Sequence, residues 1–204
     1  MVAKINLAHM PPELALYVAV YTDLQNASFL KEQLLAGNAD FEYAFIDASM
    51  VVSTKHVLAA AFRALNDYLN DRLKSRNIHS ETVFSLSSNN NIGEAFRRFG
   101  VSETTKNLLV LKVATSPDMT LDSVSQHLSA NIKGRECAFD DAAFGKVADV
   151  ERIRKVYKLG AATSTGRSTA TVNGDSGSKG NEPADGSKAL EVQILGLMAL
   201  RGAT

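Results

Sequence analysis

Residues 79–100 read His-Ser-Glu-Thr-Val-Phe-Ser-Leu-Ser-Ser-Asn-Asn-Asn-Ile-Gly-Glu-Ala-Phe-Arg-Arg-Phe-Gly, and they join two kinds of secondary structure through one polar loop. The first part alternates apolar and polar residues, which predicts a β-strand over 82–85. The last part predicts a short helix that begins after Asn91, with Glu94 completing a capping box, and that ends at Gly100. A strand followed by a helix indicates a fold that mixes the two.

The loop between them holds more polar side chains than one helix start can use, namely Ser87, Ser88, Asn89, Asn90 and Asn91. Free amides and a partial positive charge at a helix N-terminus suit a phosphate or another anion. Amide side chains also read base edges and sugar hydroxyls. Two interpretations stay open, a contact with RNA and an ordinary polar surface loop, which is the more common role of such clusters.

Strands and helices alternate through the remainder of the first 160 residues. Strands are predicted at 14–21, 41–46 and 107–113, with a possible further strand at 3–8, and helices at 26–36, from about 53 to 73, at 121–129 and at 150–157. This pattern predicts an α/β (α+β) domain whose sheet has about four strands in mixed or antiparallel order, flanked by helices.

The long helix that begins near residue 53 has an apolar stripe at spacings of three and four. The stripe consists of Leu58, Ala61, Phe62, Leu65, Leu69 and Leu73, and it predicts a core-facing side. The same spacing places Arg63, Asn66, Asn70 and Lys74 in water.

Residues 161–188 are almost entirely small and polar, which predicts a disordered linker between a domain at 1–160 and a last helix within 189–204. That helix is apolar around most of its circumference. Leu190, Ile194, Leu197 and Met198 make one face, whereas Val192, Leu195 and Leu200 lie outside it. One packing surface cannot bury both sets, so the helix is either sunk in its own core or also contacts another protein.

Equal numbers of basic and acidic residues, 22 of each, give a formal net charge of zero, so attraction to nucleic acid must come from local clusters. Basic residues do cluster, at Lys74 and Arg76, Arg97 and Arg98, Lys133 and Arg135, and Arg152 to Lys158. They are potential phosphate contacts, although compensation of helix dipoles is the ordinary explanation. Cys137 is the only cysteine and no run is long enough to span a membrane, so we expect a soluble protein of the cytoplasm and nucleus.

Residues that would carry out catalysis are not apparent. The sequence has no glycine-rich phosphate loop, no nucleophile elbow and no paired cysteines, and His9, His56, His79 and His127 are far apart. We therefore expect no metal, no cofactor and no enzymatic activity. A small hydrolase stays open as an alternative, because His79 and Glu81 would lie at the edge of the predicted strand.

Several segments resemble the family of the small kinase-binding subunit of the KEOPS (EKC) complex. They are Ile46-Asp-Ala-Ser-Met-Val-Val-Ser, His56-Val-Leu-Ala-Ala-Ala, Ile78-His-Ser-Glu, Ser85-Leu-Ser-Ser-Asn-Asn-Asn-Ile, Ala95-Phe-Arg-Arg-Phe-Gly-Val and Met198-Ala-Leu-Arg-Gly. The resemblance covers residues from about 11 to 160 and 189 to 203. Ser88 stands where the family usually has proline, a departure that should loosen the loop.

The resemblance implies a noncatalytic subunit that binds the complex's atypical kinase/ATPase. It also implies a part in recruiting tRNA, including the 3′ CCA end, for threonylcarbamoyladenosine modification beside the anticodon. The RNA-binding candidates are Lys74, Arg76, His79, Asn89, Asn90, Asn91, Ile92, Arg97 and Arg98, and the kinase-interface candidates are Ile194, Leu195, Leu197 and Met198. Ile194→Glu is then expected to abolish kinase binding without unfolding the chain. The alternative is a purely protein-binding scaffold of the kinase that does not contact RNA.

Overall fold

A computed structural model describes residues 1–160 and 183–201. The strands are β1 (Ala3–Ile5), β2 (Leu16–Thr22), β3 (Ala44–Asp47), β4 (Leu108–Val113) and β5 (Arg135–Cys137). The helices are α1 (Ala27–Leu35), α2 (Thr54–Leu69), α3 (Ile78–Ser85), α4 (Ile92–Phe99), α5 (Leu121–Asn131), α6 (Asp141–Val147), α7 (Val150–Val156) and α8 (Pro183–Leu200). Single 3-10 turns lie at Ala39–Phe41 and Ala48–Met50.

The strands form one antiparallel sheet in the order β1-β2-β4-β3, and β5 also pairs with β2, beyond β1. The α+β class and the antiparallel order are confirmed. All six residues of β4 are buried, which agrees with their continuous apolar run and with a central position. The short strand β5 is additional to the predicted strands, because three largely exposed residues carry no periodic signal.

Helices cover both faces of the sheet, because successive side chains of each strand point to opposite sides. Val18 and Leu111 face a core made with α2, α3, α7 and α8, whereas Ala19 and Val110 face a core made with α1 and α5. The β3 edge of the sheet therefore lies between two helical layers.

The predicted strand at 82–85 is wrong, because these residues belong to α3. Asn77 caps this helix by accepting a hydrogen bond from the Ser80 amide at 2.9 Å, and the Thr82 hydroxyl donates to the Ile78 carbonyl within it. Nearly the whole helix is buried, polar residues included, so its polar positions do not mark a solvent face. The alternation in sequence therefore had no relation to a strand.

The buried side of α2 is rotated relative to the predicted stripe. Ala61 and Leu65 are buried as expected, but Phe62 and Leu69 are 41% and 47% exposed. Small residues, chiefly alanines, occupy the core side instead and allow close packing. Arg63, expected in water, donates to the carbonyls of Met198 and Arg201 at 2.6 and 2.8 Å.

Helix α8 begins at Pro183 rather than at 189, so its first turns lie inside the predicted linker. The remainder of that linker, residues 161–182, lies outside the described residues. The Ser53 hydroxyl donates to Glu191 near the start of α2, and Arg63 binds the end of α8 in the middle of α2, so the two helices run side by side in the same direction. Across the described ranges, no helix is long and apolar enough to cross a membrane.

Candidate nucleic-acid-binding pocket

A cavity of about 450 Å³ opens where the β3 edge of the sheet meets α1, α3 and α4. We call it the β3-edge pocket, and it is lined by Lys31, Leu34, Leu35, Gly37, Asn38, Phe41, Glu42, Tyr43, Phe45, Arg76, Asn77, Ser80, Val83, Phe96, Arg97, Gly100, Val101 and Ser102. The residues after α4 are joined to this edge, since the Val101 amide donates to the Phe45 carbonyl at 3.1 Å. The pocket therefore draws its walls from both helical layers.

The floor of the β3-edge pocket is apolar and largely aromatic. Phe41, Tyr43 and Phe45 are each no more than 6% exposed, and the Tyr43 and Phe45 rings lie 5.5 Å apart. A pocket with an apolar floor of this kind can accept a flat ring such as a nucleobase.

Tyr43 is held in place from both sides. Its hydroxyl lies 3.0 Å from Nδ1 of His127, whose ring stacks on it, and Nζ of Lys112 lies 4.7 Å from the Tyr43 ring centre. Burial raises the pKa of Tyr43 to about 12, so the ring is neutral at physiological pH. Burial also lowers the pKa of Lys112, whose Nζ donates to the Glu42 carbonyl. The arrangement holds the Tyr43 ring in place and ties Lys112 to the backbone beside it.

Three of the four charged residues that line the pocket are basic, and the fourth is Glu42. Arg76 and Arg97 are exposed, and neither forms an ion pair among the described residues. Lys31 adds a third cation, although its Nζ also contacts Glu103 at 2.9 Å. An apolar floor with a basic rim suits a ligand that combines flat rings with phosphates, as single-stranded nucleic acid does.

Because Gly37 has no side chain, the Arg76 guanidinium can lie next to it. This glycine has a φ of +67°, and a Cβ at its position would lie 3.0 Å from Nη1 of Arg76. The guanidinium therefore lies directly against the backbone at the end of α1.

Among the predicted RNA-binding residues, Arg76 and Arg97 come together at this pocket, although 20 positions separate them in sequence. Lys74 is exposed on the same loop as Arg76. Ile92 is half-buried at the start of α4, one turn before Phe96, so the two lie on one side of that helix. Lys74 and Ile92 are thus neighbours of the pocket residues, not part of its lining.

His79 does not reach the surface. It is 3% exposed, and its Nε2 accepts a hydrogen bond from the Val113 amide at the end of β4, beyond the last residue that pairs with β3. Burial lowers the pKa of His79 to about 3. The residue completes the sheet's hydrogen bonding, so its assignment to RNA binding is corrected, and the strand-edge pair with Glu81 does not exist.

The asparagine loop is largely satisfied by itself. Asn91 caps α4 as predicted, accepting from the Glu94 amide at 2.9 Å, but the Glu94 carboxylate turns to Asn89 and Arg98 instead of completing the box. The Asn89 oxygen accepts from the Asn91 amide. Asn90 is exposed. The supposed surplus of polar groups is therefore mostly used within the loop.

Arg98 also has a structural role, since its guanidinium pairs with Glu94 and donates to the Val156 carbonyl at 2.9 Å. Of the two adjacent arginines, only Arg97 points its charge into the pocket rim. A helix turns by about 100° per residue, which explains why neighbours in sequence separate in space.

Sequence reasoning missed Lys31, Phe41, Tyr43 and Phe96 as lining residues. Phe96 lies in a segment that carries the family resemblance, so it could have been found there. The other three come from segments that are distant in sequence, and only the packing of α1 against the β3 edge of the sheet brings them to the pocket.

The last helix has two different sides. Ile194 and Met198 are 0% and 4% exposed and pack into the core of this chain, whereas Leu195 and Leu197 are partly buried. The outer side consists of Ala189, Val192, Gln193, Gly196, Ala199 and Leu200, with Val192 66% and Leu200 61% exposed. None of these six side chains is charged, which is unusual for a water-facing surface, and the exposed Lys188 lies one turn before Val192 at the edge of this set. A partner would meet this outer side, not Ile194 and Met198.

The described residues hold no group of three or more histidine, cysteine or acidic side chains that fits a metal ion. His56 is fully buried, its Nε2 lies 2.9 Å from the Tyr157 hydroxyl, and burial lowers its pKa to about 3. His56 and His79 are therefore residues of the core.

The described residues define an α+β protein with an apolar, basic-rimmed pocket on one edge and an uncharged helix side elsewhere. The family model for kinase binding protein CGI-121 matches residues 21–202, and the chain belongs to that family. It is 53% identical over 200 residues to the EKC/KEOPS complex subunit cgi121 of Aspergillus terreus, which covers 98% of this chain and 96% of that protein. It is 51% identical over 201 residues to the subunit of Coccidioides immitis, covering 98% and 97%. The subunit of Schizosaccharomyces pombe is 34% identical over 152 residues, covering 74% and 86%.

Proposed function

We propose that this chain is a noncatalytic subunit of an EKC/KEOPS complex that binds the complex's atypical kinase/ATPase and helps recruit tRNA through its 3′ CCA end. The complex would then form threonylcarbamoyladenosine beside the anticodon. The family supports kinase binding, and the names of the relatives support membership in the complex. The cytoplasm and nucleus are the proposed compartments, which a single cysteine supports.

The outer side of α8 is the proposed kinase-binding surface. Its small and apolar residues allow a second protein to approach closely, and its lack of charge means that burial costs little desolvation. The proposed interface consists of Val192, Gly196 and Leu200, with Leu195 at its border, while the buried Ile194 and Met198 support the helix from beneath.

The β3-edge pocket is the proposed RNA site, and the observation that carries this proposal is its apolar aromatic floor beneath Arg76 and Arg97. An unpaired 3′ end can place a base on the floor and its phosphates near the arginines. Lys31 and Lys74 extend the positive rim on either side.

Binding of the purified chain to tRNA with and without its 3′ CCA, at low and high salt, tests this site. We expect the complete tRNA to bind more tightly and to lose affinity as salt rises, because phosphate contacts release counterions. Arg97→Glu should weaken binding about tenfold or more, since it removes one phosphate contact and adds a repulsion. Lys155→Glu, the same charge change at an exposed position of α7 outside the pocket, is the matched control.

A protein-binding scaffold without RNA contact is the second candidate, favoured by the zero net charge and the uncharged side of α8. If tRNA with and without its 3′ CCA bind equally, and Arg97→Glu changes neither affinity, the result would support this candidate and contradict RNA binding in the pocket. Neither result bears on kinase binding, because the proposed kinase-binding surface lies on α8, which does not line the pocket.

A further inference from the structure

Glu81 is a fully buried acidic residue in the first turn of α3 that lies behind the pocket rim and does not line the pocket. Its Oε2 accepts three hydrogen bonds from two consecutive residues of the loop between α2 and α3. The donors are the Lys74 amide at 3.0 Å, the Ser75 amide at 2.8 Å and the Ser75 hydroxyl at 2.6 Å. One side-chain oxygen therefore fixes the backbone of this loop.

These bonds determine which way the loop's side chains point. Leu73, Ser75 and Asn77 are half-buried, whereas Lys74 and Arg76 between them are exposed. The Lys74 and Ser75 amides have no other acceptor in the described part of the chain. The only other hydrogen bond of these two residues in the described part of the chain is a longer one, from the Ser75 hydroxyl to the Asn77 carbonyl at 3.3 Å, so Glu81 supplies most of what holds both cations outward.

The acceptor has a cost in stability. Oε1 of Glu81 has no hydrogen-bond partner among the described residues, and a buried polar group without a partner is costly. The N-terminal end of α3 and the charge of the buried Arg201 offset part of this cost, since both favour negative charge.

We propose that Glu81 is a positioning residue that holds the loop so that Lys74 and Arg76 face RNA at the rim of the β3-edge pocket. It acts through the loop backbone and does not touch the RNA. This inference rests on the proposed RNA-binding function and assigns to it a residue that lies outside the pocket.

The test compares Glu81→Leu with Thr82→Val by tRNA affinity at several salt concentrations. Leucine removes both acceptor oxygens, whereas glutamine would keep one that can accept the same hydrogen bonds. Thr82 is the matched control because it is equally buried, follows Glu81 in α3 and donates only to the Ile78 carbonyl of its own helix. Glu81→Leu should lose about as much affinity as Lys74→Ala/Arg76→Ala, roughly three- to tenfold, and should flatten the salt dependence, because fewer phosphates are contacted. Thr82→Val should change thermal stability alone.

A triple variant shows whether Glu81 acts through the two cations. Adding Glu81→Leu to Lys74→Ala/Arg76→Ala should cause no further loss of affinity, because residues that act as one unit are not additive. If Glu81→Leu folds poorly, Ser75→Ala is the second variant, because it removes one of the three donors and should cause a smaller change of the same kind.

Each contrary result has a distinct meaning. Glu81→Leu and Thr82→Val with the same affinity and salt slope would overturn the positioning role and leave the RNA site intact. A Lys74→Ala/Arg76→Ala variant that binds tRNA as tightly as the native chain would overturn the RNA role of the loop itself. An additive loss in the triple variant would show that Glu81 affects binding by another route.

Discussion

At the level of single residues, the basic residues near the pocket could be predicted from the sequence, but the direction in which each side chain points could not. Arg76 and Arg97 were predicted as RNA contacts from local clusters of charge, and the structure brings both to one pocket. His79 and Arg98 are predicted as RNA contacts with them but point inward, to the sheet and to α7. Burial of a polar side chain depends on partners that are distant in sequence, so its own neighbours in the chain do not reveal it.

Gly37→Ala tests how the backbone shapes the rim. A positive φ disfavours alanine, and the added Cβ would press on Arg76, so we expect a loss of about 1 kcal/mol in unfolding free energy together with weaker tRNA binding. Gly145→Ala in α6 is the control, because nothing lies within 4 Å of its added Cβ and a helical alanine should stabilise by about 0.5–1 kcal/mol. Urea titration measures both changes. An undisturbed tRNA affinity in Gly37→Ala would show that the position of Arg76 does not matter.

At the level of elements, apolar periodicity located the long helices well but left their rotation undetermined. The predicted stripe of α2 included Phe62 and Leu69, which remain largely exposed because alanines face the core. In α8 the apolar residues around the helix predict either a deeply buried helix or one that also contacts another protein. They do not identify the residues that face the core. Only packing against α2 assigns Ile194 to the core and Val192 to the outside.

Helix α8 offers a pair of substitutions that separates core from interface. Val192→Glu should leave the fold intact and abolish kinase binding, because it places a charge in an apolar interface. Ile194→Glu should instead destabilise the chain by about 3 kcal/mol or more, since a charge replaces a fully buried side chain. Thermal unfolding and kinase pull-down distinguish the two results. Val150→Glu on α7 is the exposed control, and loss of binding in that variant would count against α8 as the interface.

At the level of the whole molecule, the two buried histidines predict how stability depends on pH. Burial lowers the pKa of both His56 and His79 to about 3, well below their unfolded value of about 6.5. The unfolded chain therefore binds more protons at mildly acidic pH, so stability is complete above about pH 6.5 and falls as pH decreases toward 3. We expect a loss of about 2 kcal/mol for each histidine between pH 7.5 and 5.0.

Urea denaturation at those two pH values measures this loss, and His79→Gln should reduce it by about half, because one of the two groups no longer titrates. Gln retains an oxygen that can accept from the Val113 amide, which keeps the variant foldable. A pH dependence unchanged by His79→Gln would mean that other groups cause it.

The position of α8 in the core has a consequence for the order in which the chain can fold during synthesis. Leu190, Ile194 and Met198 share one core with α2, and the Arg201 guanidinium donates to the Phe84 carbonyl at the end of α3 while lying over the Phe84 ring. Ribosomes release these residues after every strand of the sheet. Until then, the apolar face of α2 that receives α8 is open, so the nascent chain is most prone to aggregation just before its last described helix emerges.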